Sequence, residues 1–583
     1  MASRHQSWAL AALGISALCG SFHLATGCAA TNNQFNTGGT GGTGTSSSSA
    51  GHGGDDIGFD GGLGGSSTTG GGVPQTCADA LKNRSYIGCE YWPTVTSNAG
   101  LYSGFEYAVA AANPTGSMAT VTVERGGTTL TQVNIAPGDL KTIKLPWVDE
   151  LKGVDSVGDG TGITSVLTAK GAYKLTSSVP ITLYQFNPLE FQLPNTPADC
   201  PNADSAGGCF SFTNDASILL PTTALRNEYY VMSYPTMHIA FQDPFFGTTS
   251  WISLPGFVTI TATQDNTTIT VESKADVRAG PGVNALSAGQ TGTYKLDAGG
   301  VLQLASGNAP AAETPQSGKP CINDPIQGVI YCPSAPTLDL TGSHIKADKP
   351  INVIGGHDCT FVPYSNFACD HIEESLFPVE TLGKDFIVTA PVSVGSIESP
   401  PAQADNMFVR ILSAAANNQI TFDPPLHSKV TLGAGEWIEI GPVTQDFRVI
   451  ATDKVMVGQY MVGENFAGGQ ATAGDPSLSM AIPTEQYRVE YTFLAPSTYT
   501  YNVVNVVTKT GSKISIDGSA IPESEFAPIG STGMSVARHV ISGGTHHMVG
   551  DANFGIVVYG YGSYTSYMYP GGLNLETIVI VPD

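Results

Sequence analysis

Charge is the scarcest ingredient of this 583-residue chain. Lys, Arg, Asp and Glu make up 13% of it, about half the usual share of roughly 25%. The 25 basic residues are outnumbered by 49 acidic ones, for a net charge of −24. A nucleic-acid partner needs clustered Lys and Arg, so none is expected. Long apolar runs are missing too. Beyond the N-terminus no stretch offers the length of apolar sequence that a membrane helix requires. Nor is there a G-x-S-x-G elbow, an H-E-x-x-H pair or a Walker loop. A catalytic triad gathered from distant segments leaves no local signature, so hydrolysis stays open as a second reading. Helical periodicity sustained over three turns is also lacking, which argues against helical bundles and α/β layers.

What is present begins at the first residues. Arg4 precedes an apolar stretch from Trp8 to Leu18, too short to span a bilayer. Then comes Leu24-Ala25-Thr26-Gly27-Cys28. Small residues before a cut suit a signal peptidase, and a cysteine directly after them resembles the bacterial lipobox. The expectation is a signal peptide over residues 1–27 and a lipid on Cys28, with ordinary secretion at another cut as the alternative. Ala29 and Ala30 are not acidic, which resembles the pattern sent on to the outer membrane. The chain is therefore read as exported, at the outer membrane or cell surface, touching the membrane only through its lipid. Residues 28–76 read as a Gly/Ser/Thr-rich tether with too little apolar surface to offset chain ordering. A coil of that composition spans roughly 35–40 Å. Gly39 to Gly44 matches a dinucleotide fingerprint on paper, but no strand precedes it and no helix comes after it.

Eight further cysteines fall as neighbours: Cys77 and Cys89, Cys200 and Cys209, Cys321 and Cys332, Cys359 and Cys369. An even count in an exported chain reads as disulfides, and local pairing is the simplest scheme. Each bridge would close a short loop, worth about 3 kcal/mol in the chain-entropy picture. Metal is the competing reading, but no C-x-x-C pair supports zinc.

Strand signals dominate the chain beyond the tether. Phe105 to Val109, Ala119 to Val123 and Phe257 to Thr261 alternate with period two or nearly so, and are rich in β-branched and aromatic residues. Short helical turns are expected near Ala78 to Lys82 and Ala216 to Leu225. The chain also repeats itself. Two extended runs around a polar turn, read as a hairpin, recur at Tyr107 to Val123, Phe257 to Val271, Met407 to Phe422 and Tyr501 to Ile516. A strand, a polar turn and a second strand come after each of them, at Lys174 to Tyr184, His344 to Ile354, Phe447 to Val457 and His547 to Val557. In the first two, Pro180 and Pro350 open the second strand, a position that tolerates proline. Seven strands per unit suit tandem β-sandwiches. A propeller blade uses four strands in ~40–45 residues and is the alternative. The units are placed at 77–215, 216–375, 376–480 and 481–583. Insertions at Glu190 to Asn214 and Ala309 to Thr337 each carry a cysteine pair, and pinned loops over a rigid sheet are where binding commonly sits.

Three segments carry a family resemblance. Ile354-Gly355-Gly356-His357-Asp358-Cys359, then Cys369-Asp370-His371-Ile372-Glu373-Glu374 with Phe377-Pro378 and Gly383-Lys384-Asp385-Phe386, resemble the central signature of the IgGFc-binding protein N-terminal domain. Val558 to Gly572, with its tyrosines, resembles that domain's C-terminal end, and Cys89-Glu90-Tyr91-Trp92-Pro93 its opening in myxobacterial lipoproteins. The resemblance spans roughly Ser85 to Gly572. It implies a binding rather than catalytic domain, associated in an animal mucus glycoprotein with antibody Fc. Fold transfers more readily than ligand.

Several residues are candidates for a site. His357, Asp358, Asp370 and His371 would approach one another if Cys359 and Cys369 are bridged, and could hold a transition metal. Otherwise they cap turns at the neck of a disulfide loop, and no cofactor is expected. Asp155 and Asp159 could offer hard oxygens to Ca²⁺ or simply shape a turn. His546 and His547 are adjacent on a strand and point to opposite faces. Trp92, Trp147 and Trp251, with Tyr561, Tyr564 and Tyr567, could contact a protein or glycan ligand or pack the core. The leading reading is a surface adhesion or recognition module. The alternatives are a metal-dependent hydrolase using His357 and His371, and a purely structural envelope component.

Overall fold

The computed structural model describes residues 73–578, apart from 156–158, 204–207, 244–246, 317, 326, 398–401, 465 and 467–472. Cys28, the signal segment and most of the tether lie outside the described residues. The fold is nearly all β. One helix forms near the expected place, at Cys77–Lys82, where Thr76 caps it by accepting from Asp79 N. The helical turn expected at Ala216 to Leu225 is instead the strand Asp215–Leu219 and the turn after it.

Four repeats share one plan, organised by a single long corner strand in each: Tyr173–Asn187, His344–Thr360, Phe447–Met461 and Gly544–Gly562. These are the segments that read as strand, turn and strand. Each turn is a corner within one continuous strand. The repeat's opening strand records the corner as a jump in register. Its partners skip from Ile181 to Thr176, from Ile351 to Lys346, from Val455 to Ile450 and from Phe554 to Val549, the same five-residue step every time. Pro180 and Pro350 sit at the corner, where a ladder hydrogen bond is already lost.

The corner strand belongs to two layers. In the first repeat its early half pairs with Ala119–Arg125, which carries Thr128–Ile135 at its outer edge. Its late half pairs with Tyr107–Ala112 and with the closing strand Asp215–Leu219. Side chains between the layers, among them Val109, Val121, Leu175 and Leu183, fill one core. Each repeat is thus a sandwich of seven or eight strands, not a four-stranded blade. The runs that read as hairpins are arches. Gly256–Ala262 pairs with the late half of its corner strand and Thr267–Glu272 with the early half, so the two lie in different layers. Asn266 (φ 54°), Asn417 (φ 57°) and Gly511 (φ 90°) make the left-handed step in three of these arches.

A tyrosine latches the opening strand to the corner. In three repeats its hydroxyl accepts from the N–H three residues earlier, at Gly88, Arg226 and Arg488. The same hydroxyl reaches a corner carbonyl: Tyr91 to Ile181 O at 2.6 Å, Tyr229 to Ile351 O at 2.8 Å, and Tyr491 to Phe554 O. Phe386 stands in the corresponding place of the third repeat.

The closing strands bring the repeats together. Asp215–Leu219 packs against Asp370–Ser375 and Thr565–Pro570, and Leu478–Met480 packs against the same two, so the four close a ring. The first and last described segments are stapled by Tyr86 N to Leu573 O at 3.1 Å and Leu575 N to Arg84 O at 2.9 Å. Gly572 (φ 149°) makes this closure, since a Cβ there would lie 2.3 Å from the Tyr86 ring. One hydrophobic cluster runs through all four repeats, from Tyr86 to Leu575. Repeats one and two also exchange an element, because Val166–Thr168 adds to the edge strand Val301–Ala305.

The second repeat carries a sheet with no counterpart among the described residues of the others: Thr249–Leu254, Met237–Gln242, Val329–Cys332 and Ile322–Asp324, in that order. Half of it comes from the expected insertion and half from residues 237–254, which nothing in the sequence marks. All four disulfides form as neighbours: Cys77–Cys89, Cys200–Cys209, Cys321–Cys332 and Cys359–Cys369.

Candidate functional site

The signature segment leaves a corner strand at His357, rounds the Cys359–Cys369 loop and returns as the closing strand Asp370–Ser375. His357, Asp358, Asp370 and His371 are all buried there, and each is bound to something different. His357 accepts from Cys359 N through Nδ1 at 3.1 Å and donates from Nε2 to Pro235 O at 3.1 Å. Burial lowers its pKa to about 3, so the ring is neutral. Asp358 accepts from Ser97 Oγ at 2.6 Å and Ala99 N at 3.0 Å. Asp370 accepts from Asn214 N at 2.5 Å, Thr565 Oγ1 at 2.9 Å and Ser566 N at 3.1 Å. His371 Nε2 lies 3.3 Å from Glu373 Oε2 while its ring stacks on Phe257. Among the described residues no three His, Cys, Asp or Glu side chains stand as a metal site. The candidate ligands share a segment but not a point, because His357, Asp358 and Asp370 are each bound by separate groups of the fold.

The centre of this network is Asp215, which sequence reasoning did not single out. Its Oδ1 accepts from Ala216 N at 2.9 Å, Ser477 Oγ at 2.6 Å and Met568 N at 3.2 Å, and its Oδ2 from Glu373 N and Leu478 N, both at 3.0 Å. One carboxylate of the first repeat therefore binds the closing strands of the other three. Burial raises its pKa well above the usual carboxylate range, and Ser477 with the N–H groups of Leu478, Glu373 and Ala216 offsets this only in part. Four of the five partners are backbone N–H groups that can only donate, which favours the charged form. Nothing in the local sequence sets Asp215 apart from other strand acids. Glu373 accepts from Gln185 Nε2 at 2.8 Å and Ser217 Oγ at 3.1 Å. Burial opposes its charge, but His371, then Thr96 and Gln185, hold its pKa below the usual range.

Two buried arginines serve the same end. Arg410 ties the third repeat to the second through Ser233 O and Asp339, both at 2.9 Å, and pairs with Glu439 at 3.0 Å. Its guanidinium lies 4.3 Å from the ring centroids of both Tyr234 and Trp437. Arg278 donates to Gly160 O at 2.6 Å, Ile163 O at 2.9 Å, Ser306 O at 2.7 Å and Ser253 O at 3.0 Å. It pins the end of the loop whose acids suggested Ca²⁺. In that loop Asp155 pairs with Lys152 at 2.7 Å, and Asp159 accepts from Thr161 N at 3.0 Å and Oγ1 at 2.6 Å. The two acids thus serve separate partners. His546 is buried against Asp517 at 2.7 Å, whereas His547 is exposed and 3.4 Å from Glu490, on opposite faces as expected.

The aromatic candidates divide. Trp92, Tyr561 and Tyr567 are 5%, 3% and 1% exposed, which removes them as ready contact surfaces. Tyr561 and Tyr567 lie on the corner and closing strands of the fourth repeat. Their hydroxyls are bound to Val392 O and Asn502 Oδ1, both at 2.7 Å. Tyr564 is half-buried at the turn between those strands, its ring against Phe212. Trp147 donates to Phe105 O at 2.8 Å. Trp251 is half-buried on the outer face of the inserted sheet, its ring 4.9 Å from that of His238 and beside the Cys321–Cys332 bridge. A groove of about 440 Å³ between the first two repeats is lined by Trp92, Lys170, Lys174, Lys295, Glu124 and Asp297. That is within the ~300–1,000 Å³ of ligand sites.

Four sandwiches closed in a ring, with disulfide-pinned loops in the first two, define an all-β scaffold. Residues 215–560 match the IgGFc binding protein family, and the chain belongs to that family. No curated protein matches it in sequence. Among solved structures, an anti-sigma factor domain-containing protein from Clostridium clariflavum aligns at 8% identity over 61% of this chain and 96% of that one. Its TM-score of 0.09 carries no argument about fold.

Proposed function

We propose that this chain is an exported recognition module, held at the cell surface by a lipid on Cys28 and presenting its sandwiches to a protein or glycan ligand. The observation that carries the reading is the inserted sheet of the second repeat. The described residues of the other repeats lack it, Cys321–Cys332 clamps it, and it sets Trp251 half-exposed on a rigid face. Rings of this kind give large contact at small entropic cost. The family match supports binding as the activity, and antibody Fc is one protein ligand to test. The anchor is supported by the lipobox-like Leu24-Ala25-Thr26-Gly27-Cys28 and the tether behind it.

The test uses the full chain on native cells. Cys28→Ser releases it from the membrane fraction and abolishes labelling by radioactive fatty acid; retention of both would refute the anchor. Surface pull-down and glycan binding, run with wild type and Trp251→Ala, identify the ligand. Saturable binding lost in the variant supports the inserted sheet as the site, and binding unchanged by it overturns that assignment. A biosensor titration with IgG Fc decides that ligand separately.

A further inference from the structure

The groove between the first two repeats is walled by turns. Gly126 and Gly127 turn the outer strands of the first repeat, Ala169 and Lys170 lead into its corner strand, and Ala298 and Gly299 turn the facing strands of the second. Buried Trp92, Ala172 and Leu296 lie beneath them. Gly299 (φ 80°) lets its turn come down on the indole, since a Cβ there would lie 3.3 Å from Trp92 Cζ3.

Basic residues gather here in a chain that has few. Lys170, Lys174 and Lys295 all line the groove. Lys170 lies across Gly126, where a Cβ would meet its Cδ at 2.7 Å, and its Nζ is 3.5 Å from Gly126 O. Arg125 fixes this turn by donating to Lys170 O at 2.9 Å. Lys174 stands 5.6 Å over the Trp92 ring and pairs with Glu90 at 3.0 Å. Lys170 and Lys295 are exposed and, among the described residues, pair with no acid. Two acids line the groove as well, and each is already engaged. Glu124 accepts from Thr129 Oγ1 at 3.2 Å through Oε1, and Asp297 from Asn266 N at 2.9 Å through Oδ1.

We infer that this groove binds an acidic glycan, whose carboxylate or sulfate groups are held by Lys170 and Lys295. With a net charge of −24, the rest of the surface repels a polyanion. Two unpaired ammonium groups on facing walls make the groove the place where that repulsion reverses, and lysine serves anions as a point charge. Sugar suits the walls better than peptide does. A peptide is gripped by side-chain pockets or a free strand edge, whereas exposed Gly127, Ala169 and Ala298 form no pocket and leave a smooth bed for pyranose rings. The second oxygens of Glu124 and Asp297 can accept from sugar hydroxyls. The groove lies outside the inserted sheet that carries Trp251, so this site goes beyond the proposed contact face and either test can fail alone.

Calorimetric titration of the full-length protein tests it, with four probes of matched length: a galacturonic acid oligomer, a sulfated oligosaccharide, a neutral glucose oligomer and oligoglutamate. The expected result is saturable binding of at least one acidic glycan, weakened as salt rises from about 20 to 200 mM because the lysines are exposed. Whichever of the two binds names the acidic group. Lys170→Gln with Lys295→Gln should weaken binding at least tenfold and leave the thermal midpoint unchanged. Lys509→Gln with Lys513→Gln removes the same charge from exposed positions in the fourth repeat and should leave binding unchanged. No saturable acidic glycan up to roughly 1 mM would overturn the inference. Equal binding of the neutral oligomer, tighter binding of oligoglutamate, or equal losses in the two double variants would overturn it too.

Discussion

Replacing Asp215 with Asn changes one atom of the carboxylate and almost no volume, yet it strikes the point where four repeats meet. An amide nitrogen cannot accept. Whichever way the side chain turns, at least two of its five donors face an NH₂ group, and with Nδ2 in place of Oδ2 these are the amides of Glu373 and Leu478, now at 3.0 Å. Hydrogen bonds to a charged group are worth about 1.5–3 kcal/mol each, and a buried donor left unpaired carries a similar penalty. The expected destabilisation is about 3–6 kcal/mol, a large part of a typical total of 5–15 kcal/mol. Asp475→Asn is the matched control. That acid is equally buried, but its Oδ2 has no partner among the described residues, while Oδ1 accepts from Glu464 N at 3.2 Å. An amide nitrogen placed at Oδ2 costs ~1 kcal/mol or less. Urea unfolding, followed by tryptophan fluorescence on both variants in one buffer, measures the difference. If Asp215→Asn lies within about 1 kcal/mol of wild type, the acid is protonated and is not the hub of the four closing strands.

Other predictions address other levels of the fold. Tyr491→Phe removes the latch between Arg488 N and Phe554 O and should lower stability by about 1–2 kcal/mol, read as a fall in the thermal midpoint; no change would mean the latch is redundant. Burial raises Glu464 to a pKa of about 7 against an ordinary value of 4.5. The native state then binds more protons than the unfolded one, so stability should fall as pH rises from about 4.5 to 7, by at most ~1.4 kcal/mol per pH unit. Glu464→Gln should flatten that part of the urea-midpoint profile, and an unaltered slope would assign it to the other buried acids. Replacing Cys321 and Cys332 by Ser opens a loop worth about 3 kcal/mol. Limited proteolysis should then cut within residues 309–337 while the remainder stays resistant; general degradation would show that the inserted sheet supports the whole chain.

The corner strands show how far the sequence could be read. Extended runs around Thr176 to Ile181 and Lys346 to Ile351 were legible from alternation and from Pro180 and Pro350. Proline and polar residues mark any interruption of a ladder, however, and a corner interrupts one as surely as a turn does. Asn266 and Asn417 announced a change of direction, but not whether the flanking strands would meet each other or separate layers. His357, Asp358, Asp370 and His371 could be placed beside one another through the pairing of Cys359 and Cys369, but not given their separate partners. Their partners, Pro235, Ser97, Asn214 and Thr565, are scattered along the chain, and no local pattern names them.

From its order of residues alone this protein was committed to β-strands, to four repeats and to bridges between neighbouring cysteines. Side-chain period, turn chemistry and short loop closure act within a few residues and need no distant partner. Tertiary structure alone decided that the repeats close a ring, that Asp215 binds all three of the others, and that Trp92 and Tyr567 are buried while Trp251 keeps part of its surface. Burial and the satisfaction of a carboxylate depend on what arrives from hundreds of residues away, and only the closed ring brings those groups within reach.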